Sequence, residues 1–132
     1  MDRSHLLNYD VLGMAPFPPS MRLKTPAEFK AVYDRKKSVS DGVLVVYAAE
    51  NGRPHSRVGL SVSKKVGNAV VRNRYKRLLR ETFRLEQREL PAGVDFVLIP
   101  RSREVEPTLD ELRASLLKLA RQAASRLGRA RT

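Results

Sequence analysis

Apolar positions recur along the chain with two periods, and these periods predict both strands and helices. Residues 57–63 alternate apolar with polar or small side chains, which is typical of a strand with one buried face. Residues 43–49 and 94–99 are apolar, largely β-branched runs, and the second is so apolar that it predicts a central strand. Because a turn sequence at residues 51–54 separates the first two runs, we expect them to pair as an antiparallel hairpin.

Three stretches have helical features. Thr25 is followed by a proline and then by Glu28, which is the pattern of a capping box and places a helix over residues 26–36. A long helix is predicted over residues 69–90, and a last helix opens at Pro107 with leucines and alanines at helical spacing. The arginine-rich end of that helix is expected to fray.

This order of elements predicts an α+β fold, a small α-β sandwich in which three helices cover one face of a mixed sheet of about four strands. The unit over residues 57–99 is strand, helix, strand and fits a parallel crossover. At 132 residues the chain is long enough for one core. We expect a flexible N-terminal extension at residues 1–20, a single domain at 21–128 and a basic tail at 129–132.

The amino-acid composition indicates which classes of binding partner the chain favours. Twenty-six Lys and Arg against fourteen Asp and Glu give a formal charge of +12, which favours binding to a polyanion. The chain has no cysteine, so it offers neither disulfides nor thiolate metal ligands. No apolar run approaches the roughly 18 residues needed to span a bilayer. Charge alone does not choose between RNA, DNA and an anionic membrane. We expect a cytoplasmic protein without a membrane partner.

The charge is concentrated in one segment. Between Lys64 and Arg80 there are seven Lys or Arg and no carboxylate, a density that is best tolerated where nucleic acid neutralises it. On a helical projection one stripe would dock on the sheet, and it comprises Val71, Tyr75, Leu78, Thr82 and Leu85. The opposite side comprises Asn73, Lys76, Arg77, Arg80 and Arg84. Lys64, Lys65, Gly67 and Asn68 precede the helix, where free backbone N–H groups favour an anion.

Aromatic residues offer a second kind of contact, because single-stranded nucleic acid stacks on exposed rings. Phe29 and Tyr33 are one helical turn apart, and Tyr47 lies on a strand that could adjoin that helix. From the pattern alone, packing in the core is the better interpretation of all three.

Side chains suited to catalysis are sparse. His5 and His55 stand in the extension and in a turn, and the serines in the strand at residues 57–63 have no histidine within recognisable reach. The glutamates of the long helix form no carboxylate cluster of the kind that holds two metals. We therefore predict no catalytic residue and no metal site in this chain.

The run at residues 57–81 closely resembles the bacterial ribonuclease P protein subunit. That family is marked by Ser-Lys-Lys-x-Gly-Asn-Ala followed by an Arg-Asn-Arg helix, which stand here at residues 63–69 and 72–74. The resemblance extends from about Arg22 to Leu127, although the segment at residues 1–20 is longer than the usual start of the family.

The resemblance implies a protein cofactor for a catalytic RNA, ribonuclease P RNA, which removes the 5′ leader from precursor tRNA. It implies that Mg²⁺ is used by the RNA and that the protein alone binds neither a cofactor nor a small-molecule substrate. The residues matching the family's contacts with the catalytic RNA are Lys64, Lys65, Asn68, Arg72, Asn73, Arg74, Lys76, Arg77 and Arg80. Those matching its cleft for the leader are Phe29, Tyr33 and Tyr47.

The resemblance also implies a fold like the second domain of a small-subunit ribosomal protein, with a left-handed crossover that departs from the general right-handed preference. Without the family resemblance, the residue patterns leave other functions open. They are a structural RNA-binding protein of ribosomal or assembly type, a free-standing nuclease and a basic chromosome-coating protein.

Overall fold

A computed structural model of the chain describes residues 19–130, and within that range it has three α-helices and four β-strands. The helices are α1 (Pro26–Asp34), α2 (Ala69–Glu86) and α3 (Leu109–Ala130). The strands are β1 (Lys37–Ser40), β2 (Leu44–Glu50), β3 (Arg57–Leu60) and β4 (Val94–Pro100). The predicted extension at residues 1–20 lies outside the described residues except for its last two positions, so the division into extension, domain and tail stays a prediction.

Helix α1 begins where the capping pattern predicts. The Thr25 hydroxyl accepts a hydrogen bond from the N–H of Glu28 at 3.2 Å, and the Glu28 carboxylate accepts one from the N–H of Thr25 at 2.9 Å. The helix ends at Asp34 rather than at the predicted Lys36, because Lys36 has φ 57° and this left-handed conformation does not continue a helix. The chain turns there into β1, which the sequence pattern did not single out.

The strands lie in the order β1, β2, β4, β3, and the predicted hairpin between β2 and β3 is wrong. Strand β2 pairs antiparallel with β4, and β3 pairs parallel with the other edge of β4. Strand β4 is buried at every position except Ile99. Placing it inside the sheet satisfies both of its edges, whereas a β2–β3 hairpin would leave the most apolar strand at an edge.

The parallel unit β3–α2–β4 confirms the predicted crossover, because the two strands are neighbours and run in the same direction. The left-handedness of this crossover, which the family resemblance implies, stays a prediction. The free side of β3 is partly covered by the chain that precedes α1, since the N–H of Leu23 donates to the carbonyl of Val58 at 2.9 Å. This contact places the segment before α1 beside β3, which leads into the basic segment, the cation-rich stretch from Lys64 to Arg80.

Helices lie on both faces of the sheet, which corrects the expectation that they cover one face. Helices α2 and α3 pack on one face over a core that includes Leu44, Val46, Phe83, Phe96, Leu98 and Leu116. Helix α1 packs on the other face, where Val32 contacts a small cluster with Leu23, Ala49 and Val97. Because α1 has only nine residues, the sheet side chains Val45, Tyr47 and Ile99 on that face remain half-buried.

The ends of several elements differ from the predicted ones. Strand β3 stops at Leu60 rather than at residue 63, and a short 3-10 helix at Lys64–Val66 leads into α2. Helix α2 stops at Glu86 and continues as a 3-10 turn, Gln87–Glu89. Helix α3 extends to Ala130 within the described range, and the fraying expected of its arginine-rich end stays a prediction. No helix within residues 19–130 is both long and apolar enough to cross a membrane.

Candidate RNA interface

The turn into α2 is built by a glycine and an asparagine. Gly67 has φ 149°, and a Cβ atom there would lie 2.8 Å from the side chain of Val71, so only glycine fits. Asn68 is the N-cap of α2, because its Oδ1 accepts a hydrogen bond from the N–H of Val71 at 3.0 Å. The Asn68 side chain, which the family resemblance assigns to RNA contact, therefore also holds the start of the helix.

Lys64 and Lys65 lie immediately before this turn, and both side chains are exposed. Their short 3-10 helix is capped by Ser63, whose hydroxyl accepts a hydrogen bond from the N–H of Lys65 at 3.3 Å. The carbonyl of Lys65 accepts a hydrogen bond from the hydroxyl of Ser102 at 3.0 Å. The two lysines thus sit on a short, backbone-bonded segment next to the N-terminus of α2.

The buried and exposed sides of α2 agree in part with the helical projection. Tyr75 and Thr82 are buried as predicted, but Leu79 and Phe83 contribute more to the core than the half-buried Leu78 and Leu85. On the predicted cationic side, Asn73, Arg77 and Arg80 are exposed and Lys76 is half-buried.

Arg84, also expected on the cationic side, is not available there. Its guanidinium bonds to the Glu81 carboxylate, with Nε 3.1 Å from Oε2, and only 11% of its side chain is exposed. Its charge therefore belongs to an intrahelical ion pair.

Arg74 also has a carboxylate partner, although none is close to it in the sequence. Its guanidinium donates from Nε and Nη2 to the two carboxylate oxygens of Glu106, with Nε 2.9 Å from Oε1. This bond lowers the pKa of the Glu106 carboxyl and raises that of Arg74. One positive charge of the segment from Lys64 to Arg80 is therefore neutralised by a carboxylate outside it, in the loop that follows β4.

The other six cations of the basic segment have no carboxylate at ion-pair distance among the described side chains. They are Lys64, Lys65, Arg72, Lys76, Arg77 and Arg80. The Nε of Arg72 is buried without a hydrogen-bond partner. Because unpaired cations so close together in the chain repel one another, their arrangement favours a polyanion as ligand.

The three aromatic residues assigned to a cleft do come together, on the face of the sheet that carries α1. The rings of Tyr33 and Tyr47 meet edge to face, with centroids 5.0 Å apart and planes at 86°. Phe29 packs with them against the cluster that contains Leu23 and Val97. All three remain half-buried, so they pack on the core and still present part of their rings to solvent.

A depression of about 280 Å³ is lined by one of the three aromatic residues and by two cations of α2. Phe29 lines it from α1, and Lys76 and Arg80 line it from α2. Arg22 and Lys24, which the sequence analysis did not select, add two more cations from the segment before α1. In the sequence these two cations flank the apolar Leu23, a pattern that could have predicted two exposed cations beside a buried residue. Only the tertiary structure brings them close to α2.

Titratable groups do not cluster elsewhere in a way that suggests a metal centre. Within residues 19–130 no group of three or more histidine or acidic side chains is placed to hold a metal ion. Asp95 and Glu28 instead share Arg57, whose guanidinium lies 2.7 Å from Asp95 Oδ2 and 2.9 Å from Glu28 Oε2. This network ties α1 to β3 and β4.

Comparisons with known proteins show the family to which the chain belongs. The family model that matches, Ribonuclease P, covers residues 17–124. The ribonuclease P protein component of Thermoanaerobacter sp. (strain X514) is 44% identical over 99 residues, which make up 75% of this chain and 85% of that protein.

Two solved structures are also similar to the structure of this chain. The ribonuclease P protein of Thermotoga maritima has a TM-score of 0.69 and 34% identity, and the match covers 76% of this chain and 96% of that one. The ribonuclease P protein of Staphylococcus aureus has a TM-score of 0.68 and 36% identity, over 78% of this chain and 94% of that one. Sequence and fold together show that the chain belongs to the ribonuclease P protein family, whose members are the protein subunits that act in tRNA 5′ processing.

Proposed function

We propose that the chain contacts two RNA molecules at adjoining surfaces. The cationic surface, which binds ribonuclease P RNA, comprises Lys64, Lys65, Asn68, Arg72, Asn73, Arg74, Lys76, Arg77 and Arg80. The aromatic cleft, which binds the single-stranded 5′ leader of precursor tRNA, comprises Phe29, Tyr33 and Tyr47.

One observation carries this proposal: Phe29, Lys76 and Arg80 line the same depression. Cations beside a half-exposed ring suit a single strand, whose phosphates bind the cations while its bases stack on the ring. Arg80 and Lys76 lie on the same helix as Arg77, so a duplex backbone along α2 would pass close to a strand in the cleft. This proximity supports simultaneous binding of the catalytic RNA and the leader.

The chemistry in this proposal belongs to the RNA. The RNA subunit, with Mg²⁺, hydrolyses the bond at the 5′ end of the mature tRNA, and no side chain of this protein takes part in the reaction. The protein raises the affinity for precursor over mature tRNA, because only the precursor has a leader to occupy the cleft. It also neutralises phosphates where the two RNAs approach each other. The complex acts in the cytoplasm.

The first test is cleavage of a leader-bearing precursor tRNA at low Mg²⁺ concentration. The purified chain, a bacterial ribonuclease P RNA, and both together are compared in parallel. We expect cleavage at the mature 5′ end to be much faster with both present than with either alone. A lack of stimulation would favour a structural RNA-binding protein, and cleavage by the chain alone would overturn the mechanism.

The cleft is tested separately by binding. Tyr47→Ala or Phe29→Ala should weaken binding of precursor tRNA to the complex by about tenfold, the size expected for loss of one stacked base, and leave mature tRNA binding nearly unchanged. Equal losses for both RNAs would contradict the assignment of the leader to this cleft.

The cationic surface is tested by salt dependence. Arg77→Ala should lower the slope of log affinity for ribonuclease P RNA against log salt concentration by about one, because one phosphate contact is lost. Arg88→Ala is a matched control, since Arg88 is an exposed cation in the 3-10 turn that follows α2 and, like Arg77, has no carboxylate at ion-pair distance among the described residues. An equal change in both variants would show that net charge, rather than this face of α2, determines binding.

A further inference from the structure

The loop at residues 101–108, between β4 and α3, is held against the start of the basic segment. At its ends, the N–H of Arg101 donates to the carbonyl of Val43 at 2.9 Å, and Thr108 caps α3 through mutual hydrogen bonds with Glu111. Between these ends, Ser102 bonds to the Lys65 carbonyl and Glu106 bonds to Arg74. The loop is thus anchored on both sides of the turn that opens α2.

The bond between Glu106 and Arg74 uses one edge of the guanidinium and leaves another open. A guanidinium has five N–H donors, and Glu106 accepts from Nε and from Nη2. Nη1 and the second proton of Nη2 have no partner among the described residues, and the side chain of Arg74 is 48% exposed. The open edge has the spacing that binds two oxygens of one phosphate.

We propose that Glu106 is a positioning residue for RNA binding, which holds the Arg74 guanidinium with its open edge directed at a phosphate of ribonuclease P RNA. This inference rests on the proposed function. A long exposed arginine loses rotamer freedom when it binds a phosphate, and a partner that orients it beforehand removes part of that cost. The carboxylate therefore aids the binding of a polyanion in spite of its own negative charge.

The sign of the effect makes the proposal testable. If charge alone mattered, removal of Glu106 would strengthen RNA binding, because one repulsive carboxylate would be gone. If orientation matters, Glu106→Ala should weaken binding to ribonuclease P RNA by about threefold to tenfold at fixed low salt. Glu104→Ala is the matched control, since Glu104 is an exposed carboxylate in the same loop with no ion pair among the described residues. It should leave binding unchanged or slightly stronger.

A double-mutant cycle with Arg74→Ala separates positioning from a general effect on folding. With Arg74 absent, Glu106→Ala should cause no further loss of affinity, and Glu106→Gln, which keeps a hydrogen-bond acceptor, should partly restore binding when Arg74 is present. The thermal midpoint of each variant is measured alongside to confirm that it is folded.

Tighter binding by Glu106→Ala, or an equal loss with and without Arg74, would overturn the proposal. If Arg77→Ala weakens binding but Glu106→Ala does not, only this inference fails and the cationic surface stands. If the unmodified chain does not bind ribonuclease P RNA, the proposed function itself fails.

Discussion

Phe29 lies directly over Gly59, so closely that a Cβ atom at position 59 would stand 2.6 Å from Cζ of the ring. The same Cβ would lie 3.1 Å from Cβ of Leu23. The Phe29 ring can therefore pack on the sheet only because residue 59 on β3 has no side chain. The orientation of a residue proposed to touch RNA depends in this way on a glycine of the neighbouring strand.

Gly59→Ala should displace Phe29, because the ring is the group that can move away from the new methyl. We expect a loss of about 1–3 kcal/mol in the free energy of unfolding, typical of an overpacked site, and weaker discrimination of precursor from mature tRNA. Urea denaturation and tRNA binding measure the two effects. Gly42→Ala is the control, since a Cβ there would meet nothing within 4 Å. Equal stabilities of the two variants would show that the ring adapts at no cost.

Substitutions of Asn68 can separate its cap from its proposed contact with RNA. Asn68→Ala should lower the free energy of unfolding by about 1 kcal/mol, because the N–H of Val71 loses its acceptor. Asn68→Asp should keep that stability, since aspartate is an equally good cap, yet weaken RNA binding by adding a negative charge at the anion-binding end of the helix. Thermal denaturation and RNA titration of both variants measure this. Unchanged RNA binding by Asn68→Asp would remove Asn68 from the interface.

Arg57 is expected to be the most costly ion-pair residue to remove. Its side chain is 12% exposed and that of Asp95 only 9%, so Arg57→Ala would leave a nearly buried carboxylate with Asn51 as its remaining side-chain donor. We expect a loss of about 3 kcal/mol, measured by urea denaturation. Lys30→Ala removes a cation from an exposed pair, with side chains 74% and 60% exposed, and should cost less than about 0.5 kcal/mol. Similar losses in both variants would contradict the role of burial.

The turn before β2 should make stability depend on pH through Asp41. Burial alone would raise the pKa of this carboxyl, but hydrogen bonds from the N–H groups of Leu44 and Val43 and from Ser115 and Lys118 outweigh it and lower the pKa to about 2. The folded-state pKa thus lies below the ordinary value of 3.8. The stabilisation is therefore complete above about pH 4 and is lost as pH falls toward about 2.

Comparison with Asp41→Asn isolates this contribution. The difference in free energy of unfolding between the native chain and the variant should be largest near about pH 5 and shrink by about pH 2.5, as measured by urea denaturation. A difference that stays constant over this range would show that Asp41 acts through its shape and not its charge.

Local chemistry was sufficient to predict several elements of the fold. Thr25 and Glu28 form the capping box that the sequence predicts, because a cap involves residues only three positions apart. The apolar run of β4 was correctly predicted to be central, because a strand with apolar residues on both faces must be covered on both. Strand β1 was missed, because only Val39 of its four residues is buried and so short a pattern carries no clear period.

The sequence was sufficient to select the residues of the candidate site, but not to predict how they are arranged in space. The density of cations from Lys64 to Arg80 and the family motif selected the residues, while their contacts remain to be tested. The carboxylate partner of Arg74, Glu106, lies 32 positions away in the sequence. The sequence pattern did not predict this ion pair, because nothing in the residues next to Glu106 distinguishes it from the other glutamates of the chain.

The sequence by itself determined where helices and central strands form, the sign and location of the charge, and the family, since each depends on neighbouring residues or on a continuous motif. Only the tertiary structure decided that β2 and β3 both pair with β4, that α1 lies on the face opposite α2 and α3, and that Phe29 shares a depression with Lys76 and Arg80. The physical reason is that strand pairing and the meeting of surfaces depend on burial summed over the whole chain. A local pattern states that a face must be covered but not which segment covers it.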